Sequence, residues 1–168
     1  MQRGDCPCSA LTFVRNGGKD LESCLRSALF CKEHIVLDGG SDDGTAGLAV
    51  RYGCTVIPQD KACLEPSGRI KDFGGITNQG INASTQPWVM IISADELLDD
   101  ALIHGIAGAV AKNDRAVYDV ERKLTVDGRQ ILYATNYPNR QVRLFRKDAI
   151  RGFVKIVHER PDILPGVP

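Results

Sequence analysis

The sequence lacks a net charge, because its 21 basic residues are matched by 21 acidic ones. Nucleic-acid-binding proteins generally carry a basic excess, so we expect no nucleic-acid partner. The sequence also lacks any apolar run near the roughly 20 residues that a transmembrane helix requires. Its first residues contain no apolar signal-peptide core. We therefore expect a cytoplasmic protein that makes at most peripheral contact with the inner face of a membrane.

The six cysteines lack the Cys-x-x-Cys spacing that is typical of zinc sites. Cys6 and Cys8 are separated by one residue, and no role for them follows from the sequence. Cys24 and Cys31 lie seven residues apart in a segment with helical periodicity, which predicts small buried side chains on one helix. The cysteines are therefore interpreted as packing residues.

Apolar residues make up 43% of the 168 positions, enough for one globular domain with a sizeable core. Residues 9–16, 35–38 and 54–57 are short apolar segments typical of strands. The segments between them carry apolar residues at i, i+3, i+4 and i+7, which predicts amphipathic helices. Short links in a strand–helix–strand–helix–strand order predict parallel pairing with right-handed crossovers.

An acidic, glycine-rich loop, DGGSDDGT at residues 38–45, follows the second predicted strand. Open α/β sheets bind ligands at the carboxyl ends of their strands. Asp38 and Asp43 could accept hydrogen bonds from a base or ribose, or hold a divalent cation that binds phosphate. The same residue types are also common in ordinary turns, so a plain strand-to-helix turn is the alternative.

A second apolar run, residues 89–92, ends on Ser93, Ala94, Asp95 and Glu96. A continuous apolar run is typical of a strand buried on both faces. Its acids are predicted to lie at the same sheet edge as Asp38. The alternative is that Asp95 and Glu96 cap a helix that begins near Leu97.

The C-terminal third contains a predicted helix at 102–111 and predicted strands at 116–120, 124–126 and 130–134, with an Asp-Gly turn at 127–128. Residues 139–160 then carry seven Arg or Lys and two acids. Most of these cations fit a solvated strand face. Arg143 and Arg146 are the favoured binders of an anionic acceptor or a diphosphate, because guanidinium groups bind phosphate bidentately.

Four motifs in this order resemble those of family 2 glycosyltransferases, which are inverting enzymes with a GT-A fold. They are DGGSDDGT at 38–45, TNQG at 77–80, WVMIISADELL at 88–98, and YPNRQVRLFR at 137–146 with VHE at 157–159. The last motif is similar to a bacterial branch that includes lipopolysaccharide-core glucosyltransferases. The resemblance covers roughly residues 9–160. It implies an α/β/α sandwich with a mainly parallel, Rossmann-like central sheet.

The resemblance implies sugar transfer from a nucleotide-diphosphate donor, expected to be UDP-linked, to a glycan or lipid-linked acceptor in cell-envelope polysaccharide synthesis. A divalent cation, Mg²⁺ or Mn²⁺, is the implied cofactor. Asp95 matches the acid that usually contacts the metal, and Ser93 stands where the first Asp of the Asp-x-Asp motif is expected. Glu159 is the expected general base, and His158 is the expected metal or phosphate contact.

The same resemblance implies nucleotide contacts from Val14, Asn16, Asp38, Asp43, Asn78 and Ser93. Asn16 could equally be a turn former or helix cap. The basic residue that the family carries before the asparagine is Thr77 here, and Arg69 or Lys71 could supply the missing charge.

Two further interpretations stay open at this point. A degenerate GT-A domain could bind a nucleotide sugar or a partner without turnover, because the motifs depart from the family at Gly17, Thr77 and Ser93. A sugar-nucleotidyltransferase would share the sheet topology and carry a Gly-rich loop like that at residues 16–19. The family usually continues with further helices, so residues 1–168 are expected to form a single GT-A domain without the usual C-terminal extension.

Overall fold

A computed structural model describes residues 4–126, 129–131, 139–156 and 159–168. The helices are α1 (Gly18–Ser27), α2 (Thr45–Arg51), α3 (Phe73–Ala83) and α4 (Asp100–Lys112). The strands are β1 (Cys6–Val14), β2 (Cys31–Asp38), β3 (Thr55–Pro58), β4 (Trp88–Ile91), β5 (Val117–Arg122), β6 (Thr125–Val126), β7 (Arg129–Gln130), β8 (Asn139–Arg146), β9 (Ile150–Val154) and β10 (Arg160–Ile163).

A six-stranded sheet with the order β3-β2-β1-β4-β8-β5 forms the centre of the fold. Strands β3, β2, β1 and β4 are parallel to one another, which confirms the predicted parallel pairing. Strand β8 runs antiparallel to both β4 and β5. The sheet is therefore mainly parallel, with one reversed strand near its edge.

Neighbouring residues of a strand point to opposite faces of the sheet. Because both sets of side chains on the central strands are buried, helices cover both faces. On β1, Ala10 packs in a cluster with residues of α1 and α4, whereas Leu11 packs in a second cluster with residues of α3 and β9. A third cluster joins α1 and α2 to β2. The result is the expected three-layer α/β/α arrangement.

All six cysteines pack in or against the core clusters, which confirms the predicted burial of Cys24 and Cys31. All six are free, and only Cys6 is partly exposed. Burial raises the pKa of Cys24 to about 12, so this thiol stays protonated at neutral pH. The helical placement of Cys31 is wrong, since α1 ends at Ser27 and Cys31 begins β2 in register with Cys6.

The C-terminal strands follow the prediction with shifted bounds. The predicted strand at 124–126 is β6, which pairs with β7 in a small antiparallel ribbon. The Asp-Gly turn at 127–128 and residues 132–138 of the predicted next strand and the last motif lie outside the described residues. Within the described part of the chain, no helix has both the length and the apolar character needed to cross a membrane.

Candidate functional site

The carboxyl ends of β2 and β4 flank β1 at one edge of the sheet. Val14 on β1 pairs with Asp38 on β2, and Leu11 on β1 pairs with Ile91 on β4. The main chain continues this alignment, since Ile92 N donates to Leu11 O at 3.0 Å. Asp38 and the segment after Ile92 are therefore separated by two strand spacings, on the order of 10 Å. Both acidic segments lie at the same edge, as the sequence predicts.

A β-turn from Ser93 to Glu96 presents Asp95 at this edge. Glu96 N donates to Ser93 O at 3.0 Å, and Ser93 N donates to Glu96 Oε2 at 2.9 Å. Asp95 occupies the third position of the turn, and its side chain is exposed. The main chain of the turn is thus held by hydrogen bonds between Ser93 and Glu96, and the side chain of Asp95 is left exposed to solvent.

The helix-capping interpretation of Asp95 and Glu96 is wrong. Helix α4 begins only at Asp100, three residues beyond the predicted start. Its N-cap is Asp99, whose Oδ1 accepts a hydrogen bond from Leu102 N at 2.8 Å. Asp99 supplies the cap, whereas Glu96 accepts a hydrogen bond within the turn and Asp95 is exposed on it.

Glu96 connects this turn to β5 and β8. Its Oε1 accepts from Arg122 Nε at 2.5 Å and from Arg143 Nη2 at 3.2 Å. Sequence reasoning missed this connecting role, although the Ser-x-x-Glu spacing of a capping box was a visible signal. One carboxylate therefore fixes the turn through both of its oxygens.

Arg143 is almost entirely buried, with 11% of its side chain exposed. Burial lowers the pKa of the Arg143 guanidinium from its usual value, while the charges of Glu96, Glu159 and Asp95 favour the protonated form. The structure therefore brings Arg143 close to the predicted acids. Its described charge partner is Glu96, so it supports the turn that carries Asp95.

Arg146 lies at the opposite edge of the sheet, so its assignment to the diphosphate is wrong. Strand β8 is antiparallel to β4, and Arg146 pairs with Trp88, the first residue of β4. There its guanidinium donates to Asn113 O at 2.5 Å and pairs with Asp148 at 3.1 Å. Three residues of extended strand separate it from Arg143, about 10 Å.

The loops after β1 and β2 brace each other through Asn16. Asn16 has a positive φ of 53° and donates its main-chain N–H to Ser41 Oγ at 2.8 Å. Its side-chain Oδ1 accepts from Asp42 N at 3.0 Å. Asp38 in turn accepts from the main-chain N–H groups of Gly40 and Ser41. The turn-forming role of Asn16 is thus present, and nucleotide contacts of Asn16 and Asp38 remain predictions.

Asp43 connects the start of α2 to the start of α1. It accepts from Thr45 Oγ1 at 2.5 Å, from Thr45 N at 3.0 Å and from Gly18 N at 3.1 Å. These donors, the Thr45 hydroxyl above all, lower the pKa of the Asp43 carboxyl. Its described contacts are structural, and its nucleotide contact remains a prediction.

Asn78 fastens β9 to α3 and is not among the residues that line the cavities described below. Its Nδ2 donates to Phe153 O at 2.9 Å, and its Oδ1 accepts from Phe153 N at 2.8 Å. The preceding Thr77 is buried and donates to Phe73 O at 2.9 Å. In the described structure, Asn78 therefore joins α3 to β9, and Thr77 makes a hydrogen bond within α3.

Two adjoining cavities open at the carboxyl edge of β1, with volumes of about 500 and 330 Å³. They share the lining residues Phe13, Val14, Arg15 and Ser93. The larger cavity, here called the basic half of the cleft, is completed by Gln59, Gly68, Arg69, Ile70 and Phe73. The smaller cavity, the acidic half, is completed by Asn16, Gly17, Asp20, Ala94 and Asp95.

The cleft thus has arginines without carboxylates in its basic half, and Arg15 together with the carboxylates of Asp20 and Asp95 in its acidic half. Val14 and Ser93 line both halves, and their nucleotide contacts remain predictions. Glu159 is partly buried just before β10, and its charge acts on Arg143. His158 lies outside the described residues. The described ranges contain no group of three or more His, Cys, Asp or Glu side chains arranged to hold a metal ion.

Residues 9–160 match the family model described as Glycosyl transferase family 2. The chain belongs to this family. It is 30% identical over 142 residues to the lipopolysaccharide core biosynthesis glycosyltransferase LpsC of Rhizobium meliloti, covering 84% of this chain and 51% of LpsC. This family 2 chain therefore spans about half the length of that curated relative.

Solved structures establish the GT-A fold of this family 2 chain. S. aureus TarS 1-349 in complex with UDP-GlcNAc superimposes with a TM-score of 0.58 and 14% identity, covering 84% of this chain and 46% of that one. Mycobacterium tuberculosis glucosyl-3-phosphoglycerate synthase with Mn²⁺, UDP and phosphoglyceric acid gives a TM-score of 0.51 and 21% identity, covering 68% and 42%.

Proposed function

We propose that this chain carries the donor-binding and catalytic residues of an inverting glycosyltransferase that uses a UDP-linked sugar. The observation that carries the proposal is the exposed Asp95 carboxylate on the Ser93–Glu96 turn, beside the end of β1. The family assignment and the name of LpsC support a glycan or lipid-linked acceptor in cell-envelope polysaccharide synthesis. The complex of TarS with UDP-GlcNAc supports a UDP-linked donor.

A divalent cation fits the residues at the turn. Mg²⁺ is commonly held by one or two carboxylates together with substrate phosphates and water, so Asp95 and a donor diphosphate suffice as ligands. Asp95, with His158 as a further ligand, would hold Mg²⁺ or Mn²⁺, and the Ser93 hydroxyl would donate to the ribose. When bound, the cation supplies positive charge to the diphosphate leaving group. The turn's role is to orient Asp95 for this contact.

Glu159 is the proposed general base, which takes the proton of the acceptor hydroxyl as that oxygen attacks the donor sugar. It lies within electrostatic range of Arg143, on whose protonated form its charge acts. A Glu159→Gln variant keeps the shape of the side chain and removes its basicity. We expect sugar transfer to fall by at least a hundredfold, with the dissociation constant for UDP unchanged. Full turnover by this variant would remove Glu159 from the mechanism.

A catalytically degenerate domain that binds a nucleotide sugar is the second candidate. It is favoured by Ser93, which provides no charge where the family has a carboxylate, and by the buried, neutral Thr77. The sugar-nucleotidyltransferase alternative loses support, because the family match covers residues 9–160. Donor binding is common to both remaining candidates, and only a transfer assay separates them.

Calorimetric titration of UDP with and without Mn²⁺ tests the donor site. We expect Mn²⁺ to tighten UDP binding to the unmodified chain at least tenfold, and Asp95→Ala to abolish that gain. Asp114→Asn, which neutralises an exposed acid beyond the end of α4, is the matched control and should keep the gain. Metal-dependent binding that survives Asp95→Ala would contradict the assignment. A donor panel with radiolabelled sugars then measures turnover separately from binding.

A further inference from the structure

The basic half of the cleft is lined by two arginines, Arg15 and Arg69, and Arg15 also lines the acidic half together with Asp20 and Asp95. None of the described residues that line the basic half is Asp or Glu. Across the described ranges, six other arginines form ion pairs, but neither Arg15 nor Arg69 does. Two unpaired guanidinium groups on one concave surface create a positive potential that attracts an anion.

The loop at residues 64–70 fixes the main chain of Arg69 at this cavity and contacts the guanidinium of Arg15. A bridge between Leu64 and Ile70 closes the loop, and Glu65 N donates to Arg69 O at 2.8 Å. Arg15 extends from the end of β1 and donates from Nη1 to Ser67 O at 3.0 Å. One of its five N–H donors is used in this contact, so the others are available to a ligand.

Gly68, at the tip of this loop, lies close to the guanidinium of Arg15. Gly68 has a φ of +79°, and a Cβ built there would lie 2.5 Å from Arg15 Nη1. Glycine at this position therefore allows both the left-handed backbone and the close approach of the guanidinium. The hydrogen bond to Ser67 O and the close approach to Gly68 together place the Arg15 guanidinium at the tip of the loop.

We propose that Arg15 and Arg69 bind the diphosphate of the donor in the basic half of the cleft, so that the donor is retained without a metal ion. This inference rests on the proposed function. Guanidinium groups bind phosphate oxygens with charge-assisted, often bidentate hydrogen bonds. Ser93 lines both halves of the cleft, so a diphosphate at Arg15 adjoins the turn that carries Asp95. The two arginines supply the positive charge that the family's basic residue would carry at the position of Thr77. They also compensate for a metal site that has one carboxylate, Asp95, where the family has two.

Titrations in EDTA test this site with three probes: UDP, uridine and inorganic pyrophosphate. Arg69→Gln should weaken binding of UDP and pyrophosphate at least tenfold and change uridine binding less than twofold. Arg15→Gln should act in the same direction. Arg51→Gln, which removes an exposed cation at the end of α2, is the charge-matched control and should bind all three probes as the unmodified chain does. Arg69→Lys should restore part of the lost affinity.

The outcomes separate this inference from the proposed function. If the unmodified chain binds UDP and both glutamine variants bind it equally well, the inference is overturned and the proposed function stands. If pyrophosphate binds through the arginines but UDP binds no better than pyrophosphate, the anion site stands and the UDP-linked donor is contradicted. If neither UDP nor pyrophosphate binds in EDTA, the inference is overturned, and the UDP titration with Mn²⁺ then decides the proposed function separately. The thermal unfolding temperature of each variant, compared with that of the unmodified chain, shows whether a loss of affinity comes from a loss of folding.

Discussion

Replacing Glu96 with glutamine should destabilise the fold and loosen the turn that carries Asp95. Glu96 accepts hydrogen bonds from Arg122, Arg143 and the Ser93 main chain, and Arg143 is 11% exposed. Glu96→Gln keeps the size of the side chain but removes the ion-pair partner of the buried Arg143 guanidinium. Removing one partner of a fully buried pair costs about 3–5 kcal/mol. Because 21% of the Glu96 side chain is exposed, we expect a loss of about 2–3 kcal/mol.

Urea unfolding at pH 7, followed by circular dichroism, measures this loss as a lower midpoint with an unchanged m-value. Asp119→Asn is the matched control, since the Asp119–Arg140 pair also joins β5 to β8 but has both side chains about half exposed. Exposed ion pairs contribute little to stability, so this variant should unfold near the unmodified midpoint. Equal midpoints for Glu96→Gln and Asp119→Asn would refute the reasoning. Metal-dependent UDP binding should weaken in Glu96→Gln and stay unchanged in Asp119→Asn.

Three further predictions concern residues outside that cluster. Asn78→Ala removes both hydrogen bonds to the Phe153 main chain and should lower the free energy of unfolding by about 1–3 kcal/mol, measured in urea; an unchanged midpoint would contradict the fastening role. Asp43 has a lowered pKa in the folded chain, so its stabilising effect is present above the unfolded pKa of about 3.9 and is lost as the pH falls through the folded value. The stability difference between the unmodified chain and Asp43→Asn should therefore shrink below about pH 4 in acid titrations, and a constant difference would oppose this. Arg146→Gln should leave UDP affinity within twofold by calorimetry, because Arg146 lies at the far edge of the sheet.

The parallel part of the sheet could be predicted because its signals are local. Apolar runs before Asp38 and Asp95, amphipathic helices between them and short links specify the strands and their relative direction. The shared edge of these two acids follows from that direction alone. The location of the candidate cleft could thus be predicted from the sequence.

The direction of β8 could not be read from its own residues. A strand pattern is the same in either direction, so the sequence alone does not show whether Arg143 or Arg146 lies nearer the carboxyl ends of the parallel strands. Pairing with β4 in the antiparallel sense puts Arg143 near Glu96 and carries Arg146 to the other edge. Likewise, the basic half of the cleft depends on a contact between Arg15 and Ser67, far apart in the sequence.

A crystal structure of the chain with UDP and Mn²⁺ tests the central claim most directly. The account predicts that the diphosphate lies between the Arg15–Arg69 pair and the Ser93–Glu96 turn, with Mn²⁺ contacting Asp95. UDP bound at the amino edge of the parallel strands, or bound with Mn²⁺ away from Asp95, would contradict it.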